Sequence, residues 1–218
     1  MLYEMVKFVA APTAHVLWRP HISGAANVPA TGPGILAANH LSVIDSFLIP
    51  ALLPRHVTFT AKNEYFSGNP ISQWFMRLGG SLPIDRESAS SAQAMLDGAA
   101  ELLESGQLFG IHPEGTRSPD GRLYRGKVGV AWLALKTGAP VLPVALSGTE
   151  QALPAGAKLP RLVSVGIKIG EPMTFKGEHT NARDRRRVTD EIMEAIQKLS
   201  GQEYVPQYAS SVKAQPGE

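Results

Sequence analysis

Short unbroken apolar runs alternate along the chain with longer segments whose apolar residues recur every three or four positions. GILAA (34–38), VTFTA (57–61), LFGI (108–111), VLPVAL (141–146) and VSVGIKI (163–169) have strand length, and the unbroken runs among them mark buried strands. The helical period predicts helices over 41–53, 90–103, 128–136 and 181–199. Ser42 is a candidate cap for the first, and Pro54 closes it. Ala92, Met95, Leu96, Ala99, Leu102 and Leu103 share one face of the second, which Gly106 can terminate. Val188, Ile192, Ile196 and Leu199 form the stripe of the last, while Arg183, Arg185, Arg186 and Arg187 crowd its first turns, against the preference of the helix dipole for anions there. The stretch NEYFSGNPISQWFMRLGG (63–80) reads as mixed loop and helix, its aromatic residues lining either core or a groove. This order of strands and helices predicts an α/β domain.

The 218 residues suit one such domain, placed at 24–205. Residues 1–23 form an amphipathic, membrane-proximal element: Met1, Leu2, Met5, Val6 and Val9 follow a helical stripe, which either covers the core or contacts a membrane surface. Glu4, Lys7, Pro12 and Arg19 interrupt it, so it lacks the continuous apolar stretch of a secretory signal or of a membrane span. Residues 206–218, rich in Ser, Ala, Gln and Pro without a buried stripe, are expected to be a mobile tail. With no cysteine there is no disulfide, thiolate ligand or thiol nucleophile. A formal net charge of +2 gives the whole chain no strong field to gather nucleic acid, which is not an expected partner.

Three polar clusters follow buried strands. In the first, AANHLSVID, His40 lies just past a strand and Asp45 follows five positions later. On one regular helix that spacing, about 500°, would put the two on different faces. If His40 precedes the helix, its ring can fold back so that Asp45 fixes the tautomer and raises the basicity of the other ring nitrogen. Asn39 can hold the turn by bonding to backbone. Ser42 invites comparison with a serine hydrolase, but no G-x-S-x-G elbow is present. His56, His112 and Glu114 have no ligand spacing with His40 and Asp45, so no metal is expected. In HPEGTRS, Gly115 permits close backbone approach, and Thr116 and Arg117 can donate to phosphate oxygens. Glu114 cannot favour phosphate directly; it can orient an arginine or accept from substrate hydroxyls. The plain alternative is a surface turn with an internal Glu–Arg pair worth about 0–1 kcal/mol. Arg86, in SLPIDR, is a further phosphate donor, and Lys62 and Lys127 add longer-range charge.

Taken in order, NHLSVID, GSLPIDR (80–86), HPEGTRS and VLPV (141–144) resemble the four sequence blocks of the glycerolipid acyltransferase family, most closely its 1-acyl-sn-glycerol-3-phosphate branch. The likeness runs from about Gly24 to Pro172. It implies a mixed β-sheet flanked by helices, with an apolar groove for an acyl chain. It also implies that His40, oriented by Asp45, deprotonates the sn-2 hydroxyl of lysophosphatidic acid, which then attacks the thioester of acyl-CoA or acyl-carrier protein. Lys62, Arg86, Glu114, Gly115, Thr116 and Arg117 are the implied substrate-binding residues. No cofactor is implied beyond the acyl donor; the partners are a lysophospholipid acceptor and the cytoplasmic face of a membrane, met peripherally or monotopically. Glycerol 3-phosphate or another lysophospholipid is the alternative acceptor, and a non-catalytic phospholipid-binding role the alternative function. Two positions depart from the family pattern: Tyr124–Lys127 replaces a common proline-phenylalanine-lysine sequence, and His112 stands where phenylalanine is common.

Overall fold

The computed structural model describes residues 2–62, 82–84, 89–154, 156–157 and 159–214. The segment 63–80 and Arg86 lie outside the described residues, as do the side chains of Met1, Leu2, Met5, Val6, Val9 and Lys62. The helices are α1 (Leu2–Trp18), α2 (Asp45–Leu52), α3 (Ala89–Glu104), α4 (Gly129–Thr137), α5 (Thr149–Ala152), α6 (Ala182–Ser200) and α7 (Ala209–Lys213). The strands are β1 (His21–Ser23), β2 (Gly34–Ala38), β3 (Val57–Lys62), β4 (Leu82–Ile84), β5 (Leu108–Ile111), β6 (Leu123–Tyr124), β7 (Val141–Ser147), β8 (Gly166–Ile169) and β9 (Tyr204–Val205).

Among the described residues a seven-stranded sheet runs in the order β1-β8-β7-β2-β5-β3-β4. Its pairs are parallel except the antiparallel β7–β8 pair, which makes the sheet mixed. GILAA is unbroken because β2 is central and buried on both faces. Ile35 and Ala37 face a core shared with α3, α4 and α6, whereas Leu36 and Ala38 face a second core shared with α2 and Ala14 of α1. Close packing fixes residue size locally. A Cβ on Gly110 of β5 would sit 2.2 Å from the Phe59 ring, so only glycine fits.

The element bounds differ from the sequence expectation in three informative places. Helix α2 begins at Asp45 rather than Leu41, because the Asp45 carboxylate accepts from the amides of Leu41 and Ser42 and shapes those residues into a turn. Ser42 therefore does not cap it; its hydroxyl donates to the Leu153 carbonyl. At the N-terminus, β1 joins the main sheet through β8, so residues 21–23 belong to the domain. At the other end, part of the segment expected to be a mobile tail is folded: after β9 pairs with β6, the Gln207 carbonyl accepts from the Arg125 amide and α7 buries Ala209. Helix α6 is capped by Asn181, whose side chain accepts from the Arg183 and Asp184 amides. Arg186 pairs with Asp190, and Arg187 with Asp184 and Glu191, so local carboxylates offset the charge that the helix dipole disfavours.

Candidate active site

The C-terminal ends of β2 and β5 lie side by side, in register from Gly34–Leu108 to Ala37–Ile111, so the two polar clusters that follow them meet at one sheet edge. Asn39 locks the first to β7. Its side-chain oxygen accepts from the Leu146 amide at 2.7 Å, while its amide group donates to the Leu146 carbonyl at 3.0 Å and to Gln202 Oε1 at 2.8 Å. His40 comes next with its backbone held on both sides by the second cluster: its N–H donates to Glu114 Oε1 at 2.8 Å, and its carbonyl accepts from Ser118 at 2.7 Å.

The imidazole folds back onto the helix start, as the five-residue spacing allows. His40 Nδ1 lies 3.0 Å from Asp45 Oδ2. That oxygen also accepts from the Leu41 amide at 2.7 Å and the Ser42 amide at 2.8 Å. An oxygen already facing two N–H donors requires Nδ1 to carry the hydrogen. The Nε2 lone pair is then the basic one. Asp45 is fully buried, and desolvation raises its pKa, opposed by His112 and by the Ser42 and Leu41 amides. Its Oδ1 meets no well-aligned donor among the described residues. Thr149, whose hydroxyl is likewise buried and unaligned, still favours the charged carboxylate.

His112 stacks on His40 with ring centroids 3.9 Å apart and planes within 7°. Its Nδ1 donates to the carbonyls of Ala38 and Asn39, both at 3.1 Å, so its Nε2 accepts from the Ser46 hydroxyl at 3.1 Å. Desolvation, reinforced by the adjoining His40, pushes its pKa down to about 3. It is a neutral packing partner with a fixed tautomer rather than a second base.

Glu114 is 1% exposed, and its role differs from the expected one. One oxygen accepts from His40 N–H and the other from Tyr124 N–H at 2.9 Å, so the carboxylate ties the His40 turn to β6 instead of facing an arginine. Desolvation pushes its pKa up to about 7, against the pull of those two amides and of Lys213. Gly115 holds φ 73° at the tight turn closed by its own amide on the His112 carbonyl. Arg117, partly buried as a residue, makes no side-chain hydrogen bond or ion pair among the described residues, while the Thr116 hydroxyl accepts from Lys213 at 3.2 Å. Thus His40, Asp45, Glu114, Gly115, Thr116 and Arg117 are brought together. Lys62 closes β3, which is next to β5 in the sheet.

Sequence reasoning met Tyr124 only as a departure from the family pattern, without a role, and passed over Thr149, Ser46, Gln202 and Lys213. None sits in a recognisable motif, and each reaches the site by packing alone. Among the described residues no group of three His, Cys, Asp or Glu can hold a metal ion, and no helix is long and apolar enough to cross a membrane.

The family model described as Acyltransferase matches residues 19–147. A chloroplastic 1-acyl-sn-glycerol-3-phosphate acyltransferase of Brassica napus is 32% identical over 155 residues, covering 71% of this chain and 44% of that protein. A 1-acyl-sn-glycerol-3-phosphate acyltransferase of Bacillus subtilis is 30% identical over 149 residues, covering 67% of this chain and 70% of that protein. This chain therefore spans less than half the length of the plant relative. Its fold is similar to the crystal structure of the 1-acyl-sn-glycerophosphate acyltransferase PlsC from Thermotoga maritima, with a TM-score of 0.70 and 25% identity, covering 99% of this chain and 81% of that one.

Proposed function

The chain belongs to the acyltransferase family, with glycerolipid acyltransferases as its relatives, and from that premise we propose that it moves a fatty acyl group from a thioester to the sn-2 hydroxyl of 1-acyl-sn-glycerol 3-phosphate. The products are phosphatidic acid and free thiol. The donor is acyl-CoA or acyl-carrier protein.

The observation that carries this reading is the buried His40–Asp45 contact of 3.0 Å, which leaves His40 Nε2 as the basic atom beside the PEGTRS loop. Nε2 takes the acceptor's hydroxyl proton as its oxygen attacks the thioester carbonyl. Asp45 balances the imidazolium that forms. When the tetrahedral adduct collapses, the carbon–sulfur bond breaks and His40 returns the proton to the departing thiolate. No covalent acyl-enzyme is required, since aligning alcohol and thioester supplies the main advantage and positioned base catalysis adds about 10²- to 10⁴-fold. Arg117 and Thr116, with Lys62 and Arg86, bind the acceptor's phosphate. Gly115 allows the backbone to approach it, and Glu114 holds the loop against the His40 amide.

The acyl chain lies in an apolar groove next to the sheet edge, and the reaction takes place at the cytoplasmic membrane surface. Support for a peripheral or monotopic seat comes from α1, which buries Ala14 in the core yet leaves Phe8 81% and Val16 76% exposed. The acceptor is tested by offering glycerol 3-phosphate, lysophosphatidic acid and lysophosphatidylcholine at equal concentration with one acyl-CoA. Lysophosphatidic acid is consumed first. Turnover of either competitor with lysophosphatidic acid left over would refute the acceptor assignment.

A further inference from the structure

Among the described residues, four large apolar side chains stand open to solvent: Phe8 at 81%, Val16 at 76%, Leu159 at 79% and Leu162 at 75%. A single exposed leucine is ordinary on any protein, but these four belong to two segments that are bonded together. The Val165 amide donates to the Trp18 carbonyl at 3.0 Å, and the His21 amide donates to the Val165 carbonyl at 2.9 Å. The Ser164 hydroxyl donates to the Arg19 carbonyl at 3.4 Å. The end of α1 and the residues leading into β8 are therefore neighbours. Each segment also has a defined inner side. Ala14 and Trp18, one helical turn apart, pack on the core, whereas Val16 lies about 200° round the helix from Ala14 and only about 80° from Phe8. In the second segment burial alternates, with Val163 and Val165 against the core and Leu162 and Ser164 exposed. The Arg161 amide is held by the Ala152 carbonyl at 2.8 Å, so the outward leucines stand on an anchored backbone.

We propose that residues 159–162 make a second contact with an anionic phospholipid surface, beside the contact of α1 and resting on the membrane seat proposed above for that helix. Charge points to this occupant. The chain has 19 Asp and Glu residues, yet none occurs from Met5 to Ile44 or from Gln151 to Gly170. Arg19 and Arg161, both exposed, lie in those two stretches. Apolar side chains with a cationic rim and no carboxylate suit a membrane interface, where leucines enter the acyl boundary and guanidinium groups meet headgroup phosphates. The segment also reaches the candidate site. At its start the Leu153 carbonyl accepts from Ser42 Oγ at 2.9 Å, in the turn between His40 and Asp45. A bilayer held by residues 159–162 is thus tied through the backbone to the turn that carries the proposed base.

Because the chain has no cysteine, one introduced thiol reports one position. Full-length Leu159→Cys, Leu162→Cys, Val16→Cys and, as a control on the exposed side of α6, Glu194→Cys are each labelled with an environment-sensitive fluorophore. They are mixed with vesicles of phosphatidylcholine and phosphatidylglycerol, with and without spin-labelled acyl chains. The labels at 159, 162 and 16 shift to the blue and are quenched by the spin-labelled chains, while the label at 194 stays in water. Replacing Leu159 and Leu162 together by serine lowers vesicle partitioning about tenfold or more without moving the thermal midpoint. Arg161→Glu lowers partitioning on the anionic vesicles but not on phosphatidylcholine alone. Labels at 159 and 162 left in water while the label at 16 is quenched would overturn the second contact and leave the membrane seat of α1 standing. Labels left in water at all three positions would overturn both. A blue shift at 159 and 162 that grows with protein concentration in the absence of vesicles would also overturn the proposal, marking the patch as an interface between copies of this chain.

Discussion

Replacing His112 by phenylalanine, the residue glycerolipid acyltransferases commonly carry there, keeps a flat ring against His40 and Phe59 while removing a titratable group. Its pKa falls from 6.5 to about 3 on folding, so the unfolded chain binds the proton first as the pH drops. Stability from this residue is therefore present above pH 6.5 and is lost as the pH falls towards 3. Each unit is worth about 1.4 kcal/mol, which gives a loss of up to about 2 kcal/mol between pH 7 and pH 5. At pH 7 the variant is the less stable by about 1–3 kcal/mol, because the contacts to the Ala38 and Asn39 carbonyls and to Ser46 disappear. Urea denaturation of both proteins at the two pH values reads His112 together with Asp45, the titrating group it acts on electrostatically. The stability gap should shrink by about 2 kcal/mol at pH 5. Parallel losses in the two proteins would refute the claim that His112 is held neutral.

Asp45→Asn leaves the side chain's shape but removes the charge that balances the imidazolium, so kcat falls by about 10²- to 10⁴-fold with the acceptor KM little changed; steady-state acyl transfer reads both numbers. A rise in KM alone would instead mark Asp45 as a binding group. Asn39→Ala leaves the Leu146 amide and carbonyl, which it holds at 2.7 and 3.0 Å, without their partner. Thermal or urea unfolding should register a loss of about 2–4 kcal/mol, and a change below about 0.5 kcal/mol, the range of ordinary surface substitutions, would contradict the clamp.

The strands β2, β5 and β7 were legible because a strand buried on both faces must be apolar throughout, and the flanking helices because each buries a single stripe. The His40–Asp45 contact was legible only conditionally: spacing allowed it, but whether the helix began before or after His40 depended on Asp45 drawing the Leu41 and Ser42 amides to itself. The fate of Glu114 was hidden for a different reason. A carboxylate beside an arginine looks like an ion pair in sequence, whereas the fold turns it towards two backbone amides that no side-chain pattern reports. Long-range partners left no trace at all. Asn39 meets Leu146 across 107 positions, and Lys213 stands in a polar segment whose composition resembles a tail, because its anchoring comes from backbone pairing at β9 and one buried alanine.

The most direct test of the whole account removes the imidazole. Acyl transfer to lysophosphatidic acid and binding of the same lipid are measured side by side for the wild type and His40→Ala. A positioned general base predicts turnover lower by about 10²- to 10⁴-fold, with lipid binding largely preserved. Turnover equal to the wild type would contradict the assignment of His40 as the base and, with it, the division of labour between His40 and Asp45.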